Sequence, residues 1–314
     1  MRTAVNVMAA AALLSGCGGS GSPMDSSGMM SQGRTHGMLP ARGQSWRLPE
    51  ARTKALLYVS SPDANDVYVF TYPGGKSVGT LTGFDEPEGL CSDTKGNVWI
   101  ANADIENGYG YLTEYAHGGT KPIATLQDPQ NAPQACSVDA MTGNLAVANI
   151  SVGTTQNIAV YAGARGNPTF YSTVGFVQDP QTIAYDSSGN LYFAAWRKSR
   201  AWLPKGSSSV ARFKLNPLSD GWFAWDGTDL AVGESVLTRY QVIGSKGTKV
   251  GPKVMLNDVH VRGQFWIQGS GLVIATQTQG NVYVFDYPQG GNPTNTISGL
   301  DDPYGVTVSV GSSQ

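Results

Sequence analysis

Few residues of this 314-residue chain are of types that do chemistry: three cysteines, three histidines, and 23 Asp and Glu against 21 Lys and Arg. The histidines are His36, His117 and His260, and none stands near a Cys, Ser or acid at a spacing that makes a nucleophile pair or a metal cluster. His260 falls on an innermost strand and is the one histidine placed to act as a general base, with packing or hydrogen bonding as the plainer role. Asp93, Asp139, Asp186 and Asp226 recur at the ends of short strands ahead of polar turns. Aspartate there accepts hydrogen bonds from the next turn's backbone, and an acidic ring for a cation is the alternative. A second acidic set, Asp85, Glu86, Glu88, Asp104, Glu106, Asp128, Asp179, Asp301 and Asp302, falls in loops that share one face. Opposite in charge is the run Arg197–Lys205, with Trp196 just ahead of it and Trp202 within it. It interrupts the repeat described below and reads as an added loop. Trp196, Arg197, Lys198, Arg200 and Trp202 are its candidate ligand-binding residues, for an anionic or glycan-like group stacked on Trp; a solvated loop is the alternative.

The elements that position these residues are repeated. Pro87-Glu-Gly-Leu-Cys-Ser-Asp93, a Thr-Lys-Gly-Asn turn and Val98-Trp-Ile-Ala-Asn102 form one unit. The unit returns from Pro133 and from Pro180, 46 and 47 residues further on each time. A short strand, a Gly-Asn turn and a β-branched or aromatic strand at that period indicate four-stranded propeller blades. Third strands end in an aromatic followed by a Gly turn, as in Phe70-Thr-Tyr-Pro-Gly-Gly75 and Phe285-Asp-Tyr-Pro-Gln-Gly-Gly291. The first blade, from Ala55, lacks its opening strand, and Asp302-Pro-Tyr-Gly-Val-Thr-Val-Ser309 supplies one from the other end of the chain. The predicted fold is therefore all-β: a six-bladed propeller over residues 51–314, closed by the C-terminal strand, which leaves no open edge. The third strand of blade 4 is expected at Ser209–Leu215, and the innermost strand of blade 6 at Val259-His-Val.

Composition agrees. Charged residues make up 14% of the chain, against about 25% in an average soluble domain. A net charge of −2 argues against nucleic acid as a partner. Cys91 and Cys136 fall on the innermost strands of adjacent blades, four residues past Pro87 and three past Pro133. Opposite parity lets them face each other as a disulfide, and two thiols packed between blades is the alternative.

The N-terminus is a second organisation. Met1-Arg2 precedes a mostly apolar stretch, residues 4–14, which reads as a signal peptide over residues 1–17. It ends in Leu14-Ser15-Gly16-Cys17, which resembles the bacterial lipobox. That resemblance implies lipidation at Cys17, with acyl chains such as palmitate, and anchoring to the membrane of a bacterial cell envelope on its extracytoplasmic side. Residues 18–50, rich in Gly, Ser and Met, read as a flexible tether.

Pro-x-Gly-Leu, Asp, Gly-Asn and an aromatic-rich strand together resemble the NHL-repeat propellers and the wider six-bladed group with the virginiamycin B lyases and gluconolactonase-like enzymes. The resemblance implies a ring whose channel mouth can hold a ligand, in a group that contains both enzymes and binding scaffolds. The expected function is a lipid-anchored, monomeric binding module for a protein, glycan or small ligand, with no cofactor. The alternative is a lactonase-like or lyase-like enzyme holding a divalent ion such as Ca²⁺ at the channel mouth, for which the sequence offers no complete ligand set.

Overall fold

The structure, a computed structural model, describes residues 43–104, 109–151, 156–195, 199–233, 236–259 and 263–311. These residues build six sheets arranged as the blades of a propeller. Blade 1 takes Leu56–Ser61, Asp66–Thr71 and Ser77–Thr82 from the start of the chain and its innermost strand, Val306–Ser309, from the end. Closure is antiparallel, with Leu56 opposite Ser309 and Val59 opposite Val306. An extra strand, Trp46–Arg47, pairs with the outer edge of this blade at Gly79 and Thr80.

Blade 2 runs Pro87–Ser92, Val98–Asn102, Tyr109–Tyr115 and Pro122–Pro129. Blade 3 runs Asn131–Val138, Leu145–Ser151, Asn157–Tyr161 and Thr169–Ser172. In blades 2 to 5 the inner pair turns on the recurring aspartates. Asp93 accepts from the backbone N–H groups of Lys95 and Asn97 at 2.9 and 2.8 Å. Asp186 does the same for Ser188 and Asn190 at 2.9 and 2.8 Å. These carboxylates shape turns, because a Gly-containing turn leaves backbone donors that its own strands do not satisfy.

Two elements differ from the sequence expectation. The third strand of blade 4 is Arg200–Leu203, inside the run expected to be an added loop. Ser209–Leu215, expected as that third strand, is divided. Ala211–Arg212 closes blade 4, and Lys214–Asn216 crosses to blade 5, where it pairs in parallel with Lys246–Met255. Blade 5 otherwise contains Trp222–Trp225, Leu230–Gly233 and Val236–Ile243. In blade 6 the innermost strand is Phe265–Gln268, not Val259-His-Val, followed by Gly271–Thr276, Asn281–Asp286 and Asn295–Ser298.

The core is divided among the gaps between blades. Tyr58, Val67, Leu90 and Ile100 pack between blades 1 and 2. Trp99, Leu112, Val147 and Tyr161 pack between blades 2 and 3. Four further clusters fill the remaining gaps, so each described blade is buried on both faces and its strands read as near-continuous apolar runs. The disulfide Cys91–Cys136, with Cα atoms 5.6 Å apart, ties the innermost strands of blades 2 and 3.

Candidate functional site at the channel mouth

The Pro-x-Gly motif does more than open a strand. Innermost strands converge on the ring axis, so their backbones meet. A Cβ on Gly89 would stand 2.5 Å from the carbonyl oxygen of Gln134, and one on Gly305 would stand 2.3 Å from that of Glu88. Only a residue without a side chain fits there. The residues before Gly305 and Gly89 share a register position with those before Ala135, Thr182, Phe223 and Phe265 on the other innermost strands. Round the ring these are Tyr304, Glu88, Gln134, Gln181, Trp222 and Gln264, from blades 1 to 6 in order.

Five of these six make contacts across blades that fill the upper channel. Tyr304 lies edge-on to Trp222, with ring centroids 5.9 Å apart. Its hydroxyl donates to Gln134 Oε1 at 3.4 Å. Gln134 is in turn hydrogen-bonded to Glu88. From blade 6, Gln264 accepts from the Leu90 N–H at 2.8 Å and donates to the Leu90 carbonyl at 2.5 Å. Leu90 is on the innermost strand of blade 2 and has no neighbour strand on that side, so the Gln264 amide satisfies an otherwise open edge. Below this layer a cavity of about 180 Å³ is lined by Cys136, Tyr185, Phe223, Gln264 and Trp266.

Above it the rim is acidic. Glu86, Asp179 and Asp302 each precede a proline and adopt positive φ, at 49°, 49° and 37°. That conformation is sparsely populated for a residue with a side chain, and is disfavoured again before proline. The Glu88 carboxyl is pushed up to about 8, first by burial and then by the facing carboxylates of Glu86, Asp302 and Asp63, with the Gln134 bond opposing. Asp302 is raised by burial and by Asp63 and Asp301, while its bond from Gln277 opposes. Asp85 is raised by burial, Asp104 and Glu86. The charges that act on these three groups are therefore carboxylates, and at pH 7 Glu88 is mostly a neutral acid.

Of the sequence-derived ligand-binding candidates, the structure describes Arg200 and Trp202. Arg200 is buried, and its guanidinium donates to Asp220 Oδ1 at 2.8 Å and to the Ser219 carbonyl at 2.9 Å. Trp202 stacks on Tyr192 between blades 4 and 5, with centroids 5.9 Å apart. Both sit on a strand, and neither is among the residues that meet at the mouth. Trp196, Arg197, Lys198, His260 and Cys17 lie outside the described residues. His117 is on the opposite rim, with Nδ1 2.6 Å from Ser309 Oγ. Among the described residues no group of three or more His, Cys, Asp or Glu is arranged to hold a metal ion. Gln134, Trp222, Gln264 and Tyr304 were not evident as site residues from the sequence. The position ahead of a small residue finds Gln134 and Tyr304, before Ala135 and Gly305; Trp222 and Gln264 precede Phe223 and Phe265 and carry no such signal.

No protein-family model matches the chain, and no curated protein is detectably similar to it in sequence. Solved structures are similar in fold. A chain of a nidogen–laminin complex superposes with a TM-score of 0.65 at 12% identity, covering 82% of this chain and 98% of its own length. A protein of unknown function from Bacteroides caccae superposes with a TM-score of 0.58 at 14% identity, covering 82% and 99%. At these identities the likeness concerns the fold alone.

Proposed function

We propose that this protein is a binding module of the bacterial cell envelope, held by a lipid at Cys17, whose channel mouth takes a cationic group of a protein partner. The observation that carries the reading is the charge environment of Glu88: it shares the mouth with Glu86, Asp63 and Asp302, and burial and these like charges raise its affinity for a proton. A lysine or arginine side chain placed there relieves the repulsion and lies beside Trp222 and Tyr304, whose rings favour cations. The filled channel supports binding at the mouth over passage through the ring. One similar structure comes from a complex of two proteins, nidogen and laminin, which supports a protein partner. The Leu14–Cys17 box supports the lipid anchor, and the Pro-x-Gly repeats support kinship with the NHL-type propellers.

A second reading has one observation in its favour. A carboxyl that stays protonated near neutral pH is a general acid, which suits a lyase-like or lactonase-like site. One experiment separates the two. Binding of Lys/Arg-rich and Asp/Glu-rich peptides is followed by calorimetry, and melting is followed with Ca²⁺ and with chelator. The binding module predicts salt-sensitive affinity for the basic peptide alone. Asp302→Asn then weakens it by up to about fivefold, the effect of removing one rim charge worth roughly 0.2–1 kcal/mol. No preference for the basic peptide sinks the proposal. A melting point that rises with Ca²⁺ and falls on chelation moves the assignment to the metal-dependent enzyme.

A further inference from the structure

Away from the acidic mouth, a basic groove runs between blades 1 and 2. Ser45, Trp46 and Arg47 line it from the extra strand of blade 1 and the residue before it. Pro49 and Arg52 line it from the short 3₁₀ turn that follows, Pro49–Arg52. Thr120 lines it from the connection between the third and fourth strands of blade 2. That connection also carries His117, which places the groove on the rim opposite the mouth. Its volume is about 460 Å³, within the range of roughly 300–1,000 Å³ usual for small-molecule sites.

Backbone contacts fix the elements that line it. Leu48 N–H donates to the Val78 carbonyl at 2.7 Å, and Thr82 N–H donates to Ser45 Oγ at 3.0 Å, so the extra strand is held at both ends. Gly79 lets it lie close: a Cβ there would stand 2.7 Å from the Trp46 carbonyl oxygen. Gly118, at φ 60°, serves the blade 2 side, where a Cβ would meet the Ala51 carbonyl oxygen. Its N–H donates to the hydroxyl of the buried Tyr58 at 2.9 Å. Residues three apart eclipse in a 3₁₀ turn, so Pro49 and Arg52 share the face toward the groove. Glu50, on another face, pairs with Lys76.

Every polar side chain that lines the groove is a hydrogen-bond donor. The guanidiniums of Arg47 and Arg52 and the indole N–H of Trp46 only donate, and the hydroxyls of Ser45 and Thr120 can donate. No carboxylate lines it. Glu50 is taken by Lys76, and neither arginine has an ion-pair partner among the described residues. The half-buried Arg47 is close enough for its charge to act on the Tyr58 hydroxyl, whose value burial raises and Arg47 opposes. A carboxylate has two oxygens and one charge, which one guanidinium fork satisfies. A phosphate monoester offers three terminal oxygens and close to two charges, which match two forks and the hydroxyls beside them. The Trp46 ring gives an apolar face to whatever the phosphate carries.

We propose that this groove binds the phosphate group of a phosphorylated small molecule or of a lipid headgroup, between Arg47 and Arg52, with the organic part against Trp46. The site needs nothing from the channel mouth. Calorimetric titration of the purified full-length protein at pH 8 and low salt tests it. The probes are inorganic phosphate, phenyl phosphate, acetate, and glycerophosphoglycerol, a headgroup diester without acyl chains. Phenyl phosphate should bind more tightly than inorganic phosphate, and acetate more weakly than either. Arg47→Gln and Arg52→Gln should each weaken phenyl phosphate by about tenfold or more, the loss of one charge-assisted partner. Lys253→Gln, which removes a charge on a strand of blade 5, should change it by less than about twofold. Trp46→Leu should abolish the advantage of phenyl phosphate over inorganic phosphate. Arg52 is exposed, so Arg52→Gln should melt with the parent, and its lost affinity is then not a lost fold. Arginine-dependent binding of the monoesters assigns the site to a soluble phosphorylated ligand. Arginine-dependent binding of the diester alone assigns it to a lipid headgroup; either result upholds the phosphate site. It is overturned if no phosphate probe binds, if acetate binds as well as phosphate, or if Arg52→Gln binds every phosphate probe as the parent does.

Discussion

Gly89→Ala tests whether close approach of backbones at the ring axis sets the Pro-x-Gly motif. The new Cβ would stand 2.5 Å from the Gln134 carbonyl oxygen and 2.6 Å from the Ala135 Cα. Ordinary carbon contacts are about 3.5–4.0 Å, so the innermost strands of blades 2 and 3 must part by roughly 1 Å. Both atoms are backbone, and the Cys91–Cys136 bond ties the same two strands, so no side chain can rotate away to make room. Overpacking of this kind costs about 1–3 kcal/mol. Alanine returns about 0.4–1 kcal/mol by restricting the unfolded chain. The net loss is roughly 1–2 kcal/mol, which lowers Tm by about 2–8 °C in a domain of this size. Gly74→Ala is the control: its nearest atom, Thr71 Oγ1, is at 3.4 Å and its φ is not positive. It should change stability by no more than about 0.5 kcal/mol. Thermal melting followed by circular dichroism reads both. A Gly89→Ala protein that melts with the parent would refute the claim that close packing requires glycine there.

Two further outcomes follow from the same geometry. Glu88 has a folded value of about 8 against 4.5 for the free side chain, so its contribution is complete below about pH 4.5 and lost as pH rises to about 8. Glu88→Gln should therefore equal the parent near pH 4 and exceed it by on the order of a few kcal/mol above pH 8; denaturant midpoints across that range that stay parallel contradict the buried acid. Replacing Cys91 and Cys136 together by Ser opens a loop with a sequence separation of 45. The chain-entropy estimate for that loop is about 4 kcal/mol, and an unchanged melt in the absence of reductant would mean that the bond does not constrain the chain.

The fold was legible because its repeat combines backbone and packing constraints in one short pattern. Pro87, Asp93 and the Gly96-Asn97 turn each answer a separate physical need, and their return at Pro133 and Pro180 fixes the period. Blade 4 was misread for an identifiable reason. Arg197-Lys-Ser-Arg200 has the composition of a loop, and Ser209–Leu215 alternates like a strand. Arg200 nonetheless lies on the third strand, because Asp220 from the connection to blade 5 neutralises its guanidinium in the gap. The alternating segment breaks at Phe213, whose ring packs between blades 4 and 5 against Tyr192 at 4.7 Å. Neither long-range partner is visible locally. Val259-His-Val failed similarly: it has a strand-like pattern, but Phe265–Gln268 pairs with Gly271–Thr276 across a tighter turn.

The site was harder to see because the repeat that fixes the fold leaves one position free. In blades 1 to 4 proline sets the direction of the chain into the innermost strand, and at Gly89 and Gly305 the missing side chain sets how near the strands come. The side chain between them has only to fit the space at the axis. In a symmetric ring six identical residues would crowd one another there. The chain instead places Glu88, Gln134 and Gln181 on three successive blades, and Trp222, Gln264 and Tyr304 on the other three. The carboxyl therefore sits between an amide and a phenol, under a rim whose acids cluster at Asp63, Glu86 and Asp302. Aromatic surface comes from blades 1 and 5 through the Tyr304–Trp222 contact. An acid beside an aromatic pair at one side of the axis gives the mouth a direction that the fold lacks. A ligand with one positive group and an adjoining apolar stem can satisfy both sides at once, whereas an anion meets repulsion at Glu86 and Asp302 before it reaches either ring.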